Sequence, residues 1–96
     1  MNDGIGRMNQ PGPARERIRE FVTPIAHRVG VGSFSDEQPL ITGGIIGSVG
    51  VFRLVSFLEE TFSVRIDDQE IVVENLDSID KISRFLVAKL GPGSPE

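Results

Sequence analysis

The sequence predicts an all-α fold: a small bundle of three main helices and one short helix, with a long loop between the first two. Three observations lead there. Three separate stretches place apolar residues at helical spacing, the two short β-compatible stretches (64–66 and 71–74) have no partner strand, and 96 residues suffice for one domain with one modest core. Composition agrees with a folded chain, at 39% hydrophobic and 25% charged.

Met1 to Pro13 is polar and rich in Gly and Pro, and reads as a flexible N-terminal tail (1–13). The first helix is expected from about Arg15 to Arg28, where Ile18, Phe21, Val22, Ile25 and Val29 recur at intervals of three and four. Pro24 lies inside this run. An interior proline removes a backbone donor and crowds the preceding turn, at about 3 kcal/mol, so the helix either kinks or breaks there. The link from Val29 to Gly47 is rich in glycine and contains Pro39. It also carries Phe34, Leu40, Ile41, Ile45 and Ile46, too apolar for a loop left in water, so it is expected to fold back on the bundle.

The second helix, Ser48 to Phe62, has the clearest pattern. At about 100° per residue, Val51, Leu54, Val55, Leu58 and Phe62 fall in an arc of about 100°, a core-facing stripe. Asp67 to Val72 is expected to form one short helical turn with acids at its start, and Val64 and Ile66 to cross beneath it. The last helix spans Ser78 to Leu90 and aligns Ile79, Ile82, Phe85, Leu86 and Leu90. Asp77 or Ser78 can cap it, and Lys89 suits its negative end. Gly91 to Glu96 reads as a second tail, which leaves residues 14–90 as the domain.

Charge narrows the function classes. Net charge is −4, divided as +2 over residues 1–35 and −6 over residues 36–96. An acidic main body repels phosphate backbones and attracts basic protein partners, and the absence of Trp and Tyr leaves little with which to stack bases. No nucleic-acid role is expected. Without cysteine there is neither disulfide nor thiolate chemistry, and one histidine cannot build the usual zinc sites, so no metal is expected. No stretch approaches the roughly 20 apolar residues of a membrane span, and the polar start is unlike a signal peptide; the cytoplasm is the expected location.

Ser48 opens the best helix, after Gly43, Gly44 and Gly47. Taken alone it reads as a helix cap. On the same helix, Val49, Phe52, Ser56, Glu59 and Glu60 lie roughly opposite the core stripe. An exposed apolar pair rimmed by carboxylates is the footprint of a protein-docking surface, and a phosphodiester on Ser48 is favoured where free amides and the helix dipole meet negative charge. Asp67, Asp68 and Glu70 lack calcium-loop spacing and read as a solvated acid cluster that can extend the docking face.

The run Leu40-Ile41-Thr42-Gly43-Gly44-Ile45-Ile46-Gly47-Ser48-Val49 resembles the loop of acyl carrier proteins that ends in Asp-Ser-Leu. The segments Leu54 to Phe62, Val64-Arg65-Ile66 and Glu74 to Ile79 resemble that family's second helix and its sequel, in order and at matching spacing. The resemblance covers about Ile18 to Leu90. It implies a four-helix carrier bundle in which Ser48 receives phosphopantetheine from coenzyme A and the arm's thiol holds acyl intermediates as thioesters. Such a carrier is not an enzyme; it presents cargo to others. The implied partners are a phosphopantetheinyl transferase, an acyl- or aminoacyl-activating ligase or acyltransferase, and downstream biosynthetic enzymes. Val49, Phe52, Glu59 and Glu60, with Asp67, Asp68 and Glu70, are the expected partner-recognition residues, on a monomer. Fatty acid, polyketide or related secondary metabolism is the implied setting; the alternatives are an aminoacyl or peptidyl carrier, or an unmodified interaction module of the same fold.

Two departures from the family pattern stand out. Gly47 replaces the aspartate that helps the transferase place magnesium and read its substrate, and Val49 replaces the leucine. Gly50 and Arg53 also stand where acids are frequent, making the surface near Ser48 less negative. Together these point to a specialised carrier. Other site types fail on spacing. Ile46 breaks a nucleophile elbow and no histidine follows Ser48; His27 falls about 180° from Ile18 and faces solvent; the loop lacks the Lys-Ser/Thr ending of a phosphate loop.

Overall fold

A computed structural model describes residues 13–91. The elements are α1 (Pro13–Arg28), α2 (Ser48–Phe62), a 3₁₀ turn (Asp68–Glu70), α3 (Val73–Leu76) and α4 (Ile79–Leu90), with no strand among the described residues. The tails expected at 1–13 and 91–96 lie outside the described residues, apart from Pro13 and Gly91. Pro13 opens α1, where its missing N–H costs nothing.

α1 runs without a break through Pro24. The proline leaves the Glu20 carbonyl without its helical donor, and one residue earlier the Thr23 hydroxyl donates to the Arg19 carbonyl at 2.7 Å. The helix closes on Gly30. Its φ of +86° lets the Gly30 N–H reach the His27 carbonyl (3.1 Å) and the Val31 N–H reach the Ala26 carbonyl (2.9 Å), the paired bonds of a glycine C-cap.

The long loop packs against the bundle, as its apolar content requires. Leu40, Ile45 and Ile46 are buried, while Phe34 and Ile41 are half-buried. Leu40 anchors the turn: its carbonyl accepts from the N–H groups of Ile45 (2.9 Å) and Ile46 (2.8 Å), and its own N–H donates to the Asp77 carbonyl at 2.6 Å. Ionic contacts hold the loop's first half. Arg19 donates to the Phe34 carbonyl (2.8 Å) and to Asp36 (2.5 Å), and Arg15 bridges Asp36 (3.1 Å) and Asp80 (3.0 Å). The Arg15 hydrogen bond is the main reason the Asp80 carboxyl sits below its ordinary range; Arg84, four residues along α4, adds to it.

The core is the meeting of four stripes. Ile18, Val22 and Ala26 come from α1, Leu54, Val55 and Leu58 from α2, Leu76 from α3, and Ile79, Ile82 and Leu86 from α4. Val51 and Phe62, also on the α2 stripe, are half-buried at its ends. Ser78 caps α4, accepting from the Lys81 N–H at 3.0 Å, and Gly91 closes it with φ +77°. Of the two capping candidates, Asp77 turns away from the helix and toward the loop.

The segment between α2 and α4 departs from expectation. The sequence predicts one short turn over Asp67 to Val72; the chain makes two, the 3₁₀ turn and then α3. Asp67 N–H donates to Glu70 Oε1 (2.9 Å) and Glu70 N–H to the Asp67 carbonyl (2.8 Å), which closes the first turn after three residues. The Asn75 amide then caps the Glu70 carbonyl at 2.9 Å, and Lys89 of α4 pairs with the Glu70 carboxylate at 2.9 Å. Ile66 is buried and Val64 half-buried below.

Candidate functional site at the start of α2

Ser48 is the first residue of α2, not its cap. Gly47 occupies the cap position with φ −90° and ψ −173°, and no side chain caps the helix. The amides of the first turn are therefore left to solvent or to a ligand. Ser48 is exposed, and among the described residues its hydroxyl has no hydrogen-bond partner. A serine used as a cap would turn its oxygen back onto the helix; here the oxygen is available.

The loop delivers Ser48 to this position through Asp77. One carboxylate oxygen of Asp77 accepts from the N–H of Ile41 (2.7 Å) and of Thr42 (2.9 Å), and the other from the Thr42 hydroxyl (2.7 Å). Burial by itself raises the Asp77 pKa. The bonds from the Thr42 hydroxyl and the Thr42, Ile41 and Leu40 amides outweigh it, so the group sits below the ordinary aspartate range and stays ionised. Gly43 and Gly44 complete the turn. A Cβ on Gly43 would lie 2.3 Å from the Pro39 carbonyl oxygen, and Gly44 has φ +82°. At Gly47, by contrast, a Cβ would meet nothing within 4 Å.

Beside Ser48, Val49 is 68% exposed and Phe52 65% exposed. They rim an open groove whose other wall is Phe21 of α1, with Ser56 and Phe57 between them. Phe21 and Phe57 stack with centroids 4.5 Å apart, and Phe62 meets Phe57 edge-on at 6.3 Å. Arg53 and Glu60, both exposed, stand over the groove, and neither has an ion-pair partner among the described residues.

The expected partner residues thus separate into three groups. Val49, Phe52 and Glu60 are exposed and line one groove along α2. Glu59 is half-buried, and its Oε2 accepts the Ile66 N–H at 2.9 Å, tying α2 to the chain just beyond it. Asp67 and Asp68 are exposed and join Glu59 around a second surface depression. Glu70 is half-buried and occupied by Lys89, whose hydrogen bond, with that from Asp67, lowers its pKa.

Chemically, the site offers a nucleophile without a base. The one histidine, His27, is exposed with Nε2 3.3 Å from the Gly32 carbonyl, and no hydrogen bond links it to Ser48. Among the described residues no group of three or more His, Asp or Glu can hold a metal ion, and no helix is long and apolar enough to cross a membrane. Sequence reasoning missed the Asp77 clamp and the Phe21–Phe57 stack. Asp77 follows Leu76 and precedes Ser78, which reads as helix capping; its partners lie 35 and 36 residues away. Compared with protein-family models, with curated proteins and with solved structures, the chain finds no match in any of the three.

Proposed function

We propose that this chain is a carrier of the acyl carrier protein type, with phosphopantetheine attached through the Ser48 hydroxyl. One observation carries the reading: an exposed seryl oxygen without a partner sits at the uncapped start of α2, next to two exposed apolar side chains. The residues present suit the group. Ser48 is exposed, the uncapped first-turn amides of α2 favour an anionic phosphodiester, and a Cβ on Gly47 would meet nothing within 4 Å.

When bound, the arm supplies a thiol on which acyl cargo is held as a thioester. The chain's own part is positioning. The Asp77 clamp fixes the loop, α2 presents the seryl oxygen, and Val49, Phe52 and Glu60 give partner enzymes a face to recognise. No base of the chain touches Ser48, so when its oxygen displaces the nucleotide part of coenzyme A the proton goes to a group of the transferase or to water. Partners of this kind are a phosphopantetheinyl transferase, a ligase or acyltransferase that loads the thiol, and enzymes of fatty acid, polyketide or related biosynthesis. An aminoacyl or peptidyl cargo is served by the same arrangement.

Gly47 favours a second reading, an unmodified interaction module that keeps the face and carries no arm. Intact mass after incubation with coenzyme A, Mg²⁺ and a broad-specificity transferase distinguishes the two, with Ser48→Ala as the control.

A further inference from the structure

The exposed face of α2 is complementary to itself. Val49, Arg53, Ser56 and Glu60 succeed one another at intervals of four, three and four, the spacing of a helix-pairing seam. All four are exposed, on the surface beside the Phe21–Phe57 stack. Arg53 and Glu60 are seven residues apart, so they lie about 10 Å apart along the axis and within about 20° of each other around it. The two do not pair within the chain, and neither has another partner among the described residues.

We infer, against the monomer that the resemblance implies, that this face pairs with a second copy of the chain, two α2 helices lying antiparallel across a two-fold axis that passes between Ser56 and Phe57. In that register Arg53 of each copy stands opposite Glu60 of the other, so both orphan charges are matched at once, which is what an isologous interface demands. Ser56, the small residue at the crossing, lets the helices approach. Phe52 then lies opposite Thr61 of the second copy and leaves water. A cation and an anion at equal distances from the axis between Ser56 and Phe57 are matched by a second copy of the same chain. One helix face buries less than the roughly 1,200 Å² of a standard stable complex, so the dimer is weak and depends on concentration. It also covers Phe52, so self-pairing and any other partner that uses this side chain exclude each other. The inference does not depend on the arm at Ser48.

Sedimentation equilibrium of the full chain up to about 1 mM, a range that reaches weak association, tests it. Four samples are needed: wild type, Arg53→Glu, Glu60→Arg, and an equimolar mixture of the two variants, with circular dichroism verifying that each is folded. The expected result is a wild-type dimer, each variant alone weakened at least about tenfold, and the mixture restored, because Glu at 53 in one chain then meets Arg at 60 in the other and vice versa. A wild type that stays monomeric throughout would leave the face to a different protein and overturn the proposal. So would a mixture no more associated than its components.

Discussion

The Thr42 hydroxyl and the Thr42 amide donate to the two different oxygens of one carboxylate, that of Asp77, at 2.7 and 2.9 Å. Through this pair the residue that ends α3 holds the loop that leads into α2. The position of Ser48 is thus set by an acid 29 residues further along the chain, through Leu40, Ile41 and Thr42.

Replacing Asp77 tests that clamp. Asp77→Ala leaves the Ile41 and Thr42 amides without acceptors in a part-buried setting and is expected to cost about 1–2 kcal/mol in urea unfolding at pH 7. Asp77→Asn keeps one oxygen acceptor and is expected to lose less. An alanine variant as stable as wild type would show that the loop is held by its apolar side chains alone.

The same carboxylate gives stability a pH dependence of fixed sign. Its pKa in the folded chain is below the ordinary value of about 3.9, so its contribution is fully present above that value and is lost as pH falls through the folded pKa. Asp80, held down first by Arg15, acts in the same direction. Unfolding free energy should therefore fall below about pH 4, and the fall should be shallower in Asp77→Asn. An equal drop in both proteins would assign the acid sensitivity elsewhere.

Two glycines of one loop should behave in opposite ways. Gly43→Ala places a Cβ 2.3 Å from the Pro39 carbonyl oxygen and must displace backbone, an expected loss of about 1–3 kcal/mol. Gly47→Asp enters open space at the helix cap and should be neutral or stabilising by a few tenths of a kcal/mol. If Gly47 is what weakens transferase recognition, Gly47→Asp also speeds modification of Ser48; an unchanged rate removes that explanation.

Core and face can be separated on one helix. Leu58→Ala, at a fully buried position, is expected to cost about 2–5 kcal/mol. Phe52→Ser, at an exposed position, should change stability by no more than about 0.5 kcal/mol and yet reduce binding to any protein that uses this face. A large loss of stability in Phe52→Ser would mean that Phe52 serves the fold.

Periodicity makes the three main helices legible because each buries a continuous stripe, and α2 ends where its pattern ends. The segment between α2 and α4 is less legible. Its shape depends on Lys89 reaching Glu70 and on Asn75 capping the Glu70 carbonyl, contacts between residues that share no periodic pattern. The effect of Pro24 is not readable from sequence, since a continuous helix and a broken one bury the same Ile18 and Val22. At the site, the exposure of Val49 and Phe52 follows from the helical wheel, whereas the commitment of Glu59 to the Ile66 amide does not: a glutamate on a polar arc looks the same whether it faces water or a backbone N–H.

Carrier function is tested most directly by the intact mass of the protein after incubation with coenzyme A, Mg²⁺ and a broad-specificity phosphopantetheinyl transferase. Wild type, Ser48→Ala and Gly47→Asp are compared side by side. The expected outcome is a gain of one phosphopantetheine in wild type, faster and more complete gain in Gly47→Asp, and none in Ser48→Ala. Unmodified protein in both wild type and Gly47→Asp would overturn the carrier reading and leave the α2 face as an interaction surface that carries no arm.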